Sequence, residues 1–148
     1  MRSLPDIRVV LASVAVAAAS LTVPAGAEDA AAGPEAAWQA VISSQIQAFR
    51  DHDAPEAFSH AGLVFQVTFP NAETFFVAII QSGYAPIMES SSHSFGAFHA
   101  LGADGVMQRV SFVGNDQSLY DAVYELTEEA GHWRVQGVRL MQPRGVAI

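Results

Sequence analysis

Histidines and aspartates that could do chemistry are concentrated in the stretch RDHDAPEAFSHAG, residues 50–62. These residue types bind metal ions or transfer protons when their side chains converge. Pro55 has no backbone N–H and cannot continue the preceding helix, so His52 and His60 do not share one helical face. The other histidines lie far away in the sequence and show no metal-binding spacing: His93, His99 and His132. We therefore predict no metal site and no cofactor.

A structural role explains the acidic residues of this stretch. Asp53 can cap the N-terminus of a helix that starts at residue 54, and Glu56 follows three residues later in a capping-box arrangement. The stretch is thus interpreted as the end of one helix and the start of another.

The remaining candidates for chemistry lie in the second half of the chain. Tyr120 and Tyr124 alternate on one face of a predicted strand, and Asp121 and Glu125 lie on the opposite face. This alternation opposes a shared carboxylate and tyrosine site. His99 is the weak candidate for a general base, because an ordinary imidazole titrates near neutral pH.

Three helices and four strands must position these residues. Apolar residues at helical spacing predict helices over 38–51, 54–61 and 71–83, with Asn71 capping the start of the third and Gly83 its end. The segment LVFQVTF, 63–69, alternates as a strand does. YAPIMESSS, which begins at Tyr84, is interpreted as a loop.

From residue 92 onward the hydrophobic period becomes two. This period predicts strands over 94–101, 105–114, 117–128 and 132–141, joined by tight turns. In the last strand the alternation fails: Trp133 and Val135 share one face, and Val138 and Leu140 share the other. We predict a bulge at Gly137 that turns both pairs toward the helices. Helices followed by an antiparallel meander predict an α+β domain with the helices on one face of the sheet.

The N-terminal region carries a different pattern. Arg2 and Arg8 precede an apolar run, 9–23, and small residues follow at 25–27. This order is typical of a cleaved signal peptide over 1–27, and the run is short for a membrane span. Residues 28–37 are predicted to be a flexible linker, and residues 38–148 the domain. The protein is expected to be exported, either periplasmic or secreted, with no stable membrane anchor after cleavage.

Charge narrows the class of partner. The chain contains no lysine and has a formal net charge of −8. A nucleic-acid partner needs a basic face, so we predict none. The remaining partners are a small apolar ligand, another protein, or a second copy of the chain in a homodimer.

With the elements in order, the chain resembles the bacterial domain of unknown function 4864 family, within the nuclear-transport-factor-2-like (cystatin-like, ketosteroid-isomerase-like) superfamily. The resemblance covers about 38–141 and rests on five segments: AFRDHDAPEAFSHA, AETFFVAIIQSGYAPI, SFG, LYDAVYEL and WRVQGVRL. It implies a cone-shaped fold, in which N-terminal helices pack on a curved four-stranded antiparallel sheet and leave a cavity between them. It implies no defined activity.

The pocket is expected between the third helix and the bent sheet. Its predicted lining is mostly aromatic and apolar, with His99 as the expected ionisable member: Phe76, Ile80, Tyr84, Met88, His99, Tyr120 and Tyr124. Such walls suit a small apolar ligand held by one or two hydrogen bonds. A non-catalytic binding domain is the leading hypothesis. The alternatives are a small acid–base enzyme of isomerase or hydratase type, using His99 or a carboxylate with a tyrosine, and a structural domain that dimerises through its sheet.

Overall fold

The computed structural model describes residues 33–141 and the two-residue strand at 145–146. The predicted signal peptide and the first part of the predicted linker lie outside the described residues, and they stay predictions. Among the described helices, none combines the length and the apolar character that a membrane crossing requires.

Helices precede the sheet along the chain, as the α+β prediction requires. The helices are α1 Glu35–Arg50, α2 Ala54–Ser59, α3 Leu63–Thr68, α4 Ala72–Ile79 and α5 Ala85–Met88, with a π-helical turn, Ile80–Tyr84, between the last two. The strands are β1 Ser90–Leu101, β2 Gly105–Gly114, β3 Ser118–Glu129, β4 His132–Leu140 and β5 Gly145–Val146. Strands β1 to β4 form an antiparallel meander in chain order, and β5 pairs with the start of β3. The predicted fold class is confirmed.

Side-chain caps fix the helix starts that local chemistry predicted. Asp53 accepts a hydrogen bond from the Glu56 amide at 3.2 Å, and Asn71 accepts one from the Thr74 amide at 2.8 Å. Helix α1 begins earlier than predicted, at Glu35, directly after Pro34. The last three residues of the predicted linker therefore belong to this helix, where the Glu35 carboxylate is favourable in the first turn.

The segment after α2 is a helix, so its interpretation as a strand was wrong. Residue Ala61 makes a single bridge to Val135 of β4, and the chain then turns away from the sheet. The Glu129 carboxylate accepts hydrogen bonds from the Leu63 amide at 3.1 and 3.2 Å and so caps α3. This cap lies 66 residues away in the sequence, and tertiary contact therefore overrides the local alternation.

The predicted third helix ends sooner than expected, because α4 stops at Ile79 and passes into the π-helical turn. Gly83 was predicted to cap the end of this helix; it instead lies inside the turn, where its φ of 102°, a conformation that glycine adopts without steric cost, kinks the chain. The following segment was predicted to be a loop, but it contains α5. Pro86 is tolerated in the first turn of α5, where its missing N–H is not needed.

Three register shifts interrupt the described sheet, and one of them lies near the start of β1, between Ser90 and Ser92. In β4 the residue pairs Glu125–Gly137 and Leu126–Val135 leave Gln136 as the extra residue, so the predicted bulge beside Gly137 is confirmed. A second bulge lies in β1, where Phe95 pairs with Val110 and Phe98 pairs with Gln108. Strand β1 also begins at Ser90, four residues before its predicted start.

The core consists of two clusters of buried side chains. One lies between the sheet and the inward face of α1: its central members include Trp38, Ile42, Phe112, Tyr124 and Leu126. The other joins the end of α1 to α2 and α4, and its buried members are Ala48, Phe49, Ala57, Ala61 and Phe75. The space between these clusters is where the candidate site lies.

Candidate functional site

A cavity of about 360 Å³ lies between the two core clusters. Phe49, Ala61 and Phe75 line it from the helical cluster, and Ile87 and Tyr124 line it from the sheet cluster. The rest of the lining comes from α1, α3, α4, the π-helical turn and β4: Gln45, Phe65, Ile79, Ser82, Tyr84, Val135, Gly137 and Val138. The two clusters thus meet around a space large enough for a small molecule.

The bulge in β4 shapes one wall of this cavity. Because Gln136 is the extra residue, Val135 and Val138 both face the helices although three positions separate them. In a regular strand, residues three positions apart point to opposite faces. The bulge therefore places two apolar side chains on the cavity wall where a regular strand would supply one.

The structure brings together some of the predicted pocket residues. Tyr84 and Tyr124 line the cavity. Phe76, Ile80 and Met88 are half-buried beside the helical cluster and are not among the lining residues. Tyr120 lies outside this cavity, in a separate surface depression next to Pro86 and Glu89.

His99 lies away from the cavity, on the opposite face of the sheet. The sequence placed it on one face with Phe95, but the β1 bulge between Phe95 and Phe98 adds a residue and reverses the alternation. Phe95 and Phe98 consequently both face α1, and His99 pairs with Met107 and is exposed. The weak candidate for a general base is therefore not positioned to act on a ligand in the cavity.

Tyr84 and Tyr124 differ in what their hydroxyl groups do. The Tyr84 hydroxyl donates a hydrogen bond to the Val138 carbonyl at 2.6 Å. The Tyr124 side chain is only 1% exposed, yet its hydroxyl has no hydrogen-bond partner among the described residues. Every enclosed side-chain nitrogen or oxygen in this part of the chain has a partner, so the Tyr124 hydroxyl must be open to the cavity that it lines.

Burial keeps Tyr124 in its neutral form. Desolvation raises the pKa of the Tyr124 hydroxyl far above its ordinary value, and the neighbouring Tyr120 raises it further. The pKa of Tyr120 itself is raised by burial to about 12. At neutral pH, Tyr124 therefore offers a hydroxyl that both donates and accepts hydrogen bonds, and it offers no charge.

Gln45 is the second polar group in the lining, and the sequence analysis did not include it in the pocket. Its side-chain nitrogen donates to the Ala57 carbonyl at 3.1 Å. The signal was present in the sequence, because Gln45 lies on the apolar face of α1 between Ile42 and Ile46. A polar side chain on such a face must find buried partners or a polar occupant.

A second polar network connects the end of α1 to the start of β1. Arg50 donates to the Ser90 hydroxyl at 2.9 and 3.1 Å and to His93 Nδ1 at 3.2 Å. Because arginine only donates, His93 Nδ1 accepts, and Nε2 carries the proton toward the Ser43 hydroxyl at 2.9 Å. Desolvation, followed by the charge of Arg50, lowers the pKa of His93. None of these residues lines the cavity.

The histidines of the opening stretch do not converge. His60 contacts the Glu56 carboxylate at 2.8 Å within one turn, and His52 follows the end of α1 and lies beside the Phe76 ring. Within residues 33–141, no group of three or more potential metal ligands comes together.

An exposed apolar surface borders the cavity. Helix α3 places Phe65 in the lining, whereas Leu63, Val64 and Val67 on the same helix are 63, 55 and 75% exposed. Large contiguous apolar patches on a protein surface often mark ligand-binding grooves or interaction sites. This surface lies on the helix that forms part of the cavity wall.

Comparison with known proteins gives a family. No curated protein matches the sequence. A crystal structure from Silicibacter pomeroyi, described as an NTF-2 like protein of unknown function, is similar at 13% sequence identity and a TM-score of 0.46; the alignment covers 72% of this chain and 95% of that one. The family model described as Domain of unknown function (DUF4864) matches residues 32–148. The chain therefore belongs to the DUF4864 family, as its sequence motifs indicated.

Proposed function

We propose that this domain binds a small, mostly apolar molecule in the cavity between its two core clusters, without catalysing a reaction on it. The observation that carries the proposal is the lining. Of the thirteen described residues around the cavity, none is a carboxylate, an imidazole or a guanidinium, and most are aromatic or aliphatic. Ligand pockets typically have volumes of ~300–1,000 Å³ and are lined in this way.

The arrangement gives little support to acid–base chemistry. A general base must reach the proton that it removes and must titrate near the working pH. Tyr84 and Tyr124 are the titratable members of the described lining. The first already donates to a backbone carbonyl, and burial raises the pKa of the second, so neither is suited to act as a base near neutral pH.

The exposed apolar surface of α3, which lies beside the cavity, also supports the binding of an apolar ligand. An apolar molecule that leaves water gains about 25 cal/mol for each Å² of surface that it buries. Leu63, Val64 and Val67 offer such surface beside Phe65, which lines the cavity. Helix α3 therefore gives an apolar ligand a first contact beside the cavity.

The experiment is a binding titration of the full chain with N-phenyl-1-naphthylamine, a neutral probe whose fluorescence rises in apolar surroundings. Ser82 is exposed and lines the cavity, so Ser82→Trp should fill its edge without disturbing the core. We expect Ser82→Trp to weaken probe binding by about ten-fold or more.

Gln81→Trp is the matched control, because Gln81 is also exposed in the π-helical turn but does not line the cavity. It should bind the probe as the unmodified chain does. If the unmodified chain does not bind the probe, or if both tryptophan variants weaken binding equally, the proposed function is overturned.

A further inference from the structure

Two polar atoms in the cavity lining have no partner among the described residues. One is the Tyr124 hydroxyl, and the other is the side-chain oxygen of Gln45, a residue that is only 4% exposed. The structure encloses no side-chain polar atom without a partner in its described part, so both atoms must be accessible. The cavity that both residues line is the space they face.

The orientation of the Gln45 amide follows from its one hydrogen bond. The Ala57 carbonyl can only accept, so the group that faces it at 3.1 Å must be the Gln45 nitrogen. The Gln45 oxygen is consequently the atom left without a partner. It can only accept a hydrogen bond, and a ligand must bring a donor to meet it.

Charge restricts the ligand further. An ionised group that enters an apolar cavity loses its hydration and needs an opposite charge in the lining. No residue of the described lining is cationic, and the nearby Arg50 is already bonded to Ser90 and His93. A carboxylate would also repel the Gln45 oxygen, because both can only accept.

We infer that the ligand is an uncharged amphiphile with an apolar body and a hydroxyl-type polar group that hydrogen-bonds to Tyr124 or to the Gln45 oxygen. A hydroxyl both donates and accepts, so it suits either atom of the lining. This inference rests on the proposed function, since it names the class of molecule that the same cavity takes.

Three probes of equal chain length test the inference by displacement of N-phenyl-1-naphthylamine from the full chain at pH 8. The first is n-octanol, which carries a neutral hydrogen-bond donor. The second is octanoate, which carries a charged acceptor, and the third is n-octyl chloride, which carries no hydrogen-bond donor. We expect n-octanol to bind more tightly than both of the others, by about three-fold to ten-fold, which corresponds to one neutral hydrogen bond.

Tyr124→Phe removes the hydroxyl and nothing else. It should weaken n-octanol binding by about three-fold to ten-fold and leave n-octyl chloride binding unchanged. Tyr120→Phe is the matched control, because the Tyr120 hydroxyl donates to the Pro86 carbonyl outside the cavity. It should change neither affinity. The ranking of the three probes on the unmodified chain needs no variant, so it tests the inference even if Tyr124→Phe folds poorly.

The outcomes separate this inference from the proposed function. If N-phenyl-1-naphthylamine binds and Ser82→Trp blocks it, but octanoate or n-octyl chloride equals n-octanol, the inference fails and apolar binding stands. If Tyr124→Phe folds and keeps its preference for n-octanol, the Tyr124 hydroxyl does not bond the ligand. If none of the probes binds, both proposals are overturned.

Discussion

Gln108 and Gln45 are two buried glutamines whose surroundings differ sharply. Gln108 is fully buried, and its oxygen accepts hydrogen bonds from Trp38 at 2.9 Å and Gln39 at 3.1 Å. Its nitrogen donates to the carbonyls of Gly96 at 2.9 Å and Arg109 at 2.8 Å. Gln45 uses its nitrogen once and leaves its oxygen open to the cavity. The glutamine side chain is thus fully hydrogen-bonded at position 108, whereas at position 45 it leaves its oxygen accessible from the cavity.

The difference lies in the surrounding packing. Around Gln108 the rings of Trp38, Phe98 and Trp133 fill the space in edge-to-face contacts, with centroids 5.0 and 5.3 Å apart. Around Gln45 the two core clusters separate and leave the cavity. A buried polar network that is fully hydrogen-bonded holds one arrangement of its neighbours, whereas an unpaired buried polar group is costly until a partner meets it.

Loss of the Gln108 side-chain amide should have the largest effect on stability. Gln108→Leu leaves the Trp38 N–H and the Gly96 carbonyl without their buried partner, and each unsatisfied group costs about 1–3 kcal/mol. We expect the free energy of unfolding to fall by about 3 kcal/mol or more. Urea unfolding measures it.

Gln45→Leu is the paired variant. It removes one hydrogen bond, to the Ala57 carbonyl, so the expected loss is about 1 kcal/mol. If Gln45→Leu lowered the free energy of unfolding as much as Gln108→Leu or more, the contrast between the packed surroundings of Gln108 and the open surroundings of Gln45 would be contradicted.

The two buried tyrosines of β3 give a finer comparison. Tyr120→Phe removes a hydrogen bond to the Pro86 carbonyl and should lower the free energy of unfolding by about 1 kcal/mol. Tyr124→Phe removes a hydroxyl that has no partner among the described residues, so its effect on stability should be close to zero. Thermal unfolding of both variants provides the measurement. A clear loss in Tyr124→Phe would show that its hydroxyl is a structural group.

A further small effect is a pH dependence of stability at His93. The folded state lowers the pKa of His93, so the unfolded chain binds a proton more readily below its pKa of about 6.5. The stabilisation is fully present above that pH, and it is lost as the pH falls through the window between the unfolded and the folded pKa. Because His93 is only partly buried, we expect less than about 1 kcal/mol.

His93→Asn keeps an acceptor for Arg50 and cannot titrate, so it should remove this contribution from the stability measured by urea unfolding between pH 7.5 and about 5. Binding of N-phenyl-1-naphthylamine should stay constant over the pH range in which the folded chain remains stable, since the described lining contains no imidazole or carboxylate. An unchanged pH dependence in His93→Asn would assign the effect to another group.

Local chemistry predicted much of the fold. The caps at Asp53 and Asn71 and the meander depend on neighbouring residues, and the β4 bulge follows from the broken alternation around Gly137. Helix α3 could not be predicted in this way, because its cap comes from Glu129 on a distant strand.

Two features of the site also depend on contacts between distant residues. The β1 bulge that turns His99 outward has its Gly96 carbonyl bonded to Gln108 on the neighbouring strand. The alternation of β3 placed Tyr124 on the inward face, but the unpaired state of the Gln45 oxygen follows from how two clusters pack. The sequence could thus indicate that Tyr124 belongs to a pocket wall. It could not indicate which polar atoms of that wall are left free to bond a ligand.

The bulge at Gln136 lets β4 lose one residue without changing which side chains face the interior. Deletion of Gln136 would join Val135 directly to Gly137 and restore a regular ladder with β3. Val138 would still pair with Tyr124 and Leu140 with Ala122, so both side chains would keep facing the helices and Arg139 would stay on the outside. Related chains could therefore have or lack this extra residue and keep the same apolar wall, and the local bend and twist of β4 would be what changes.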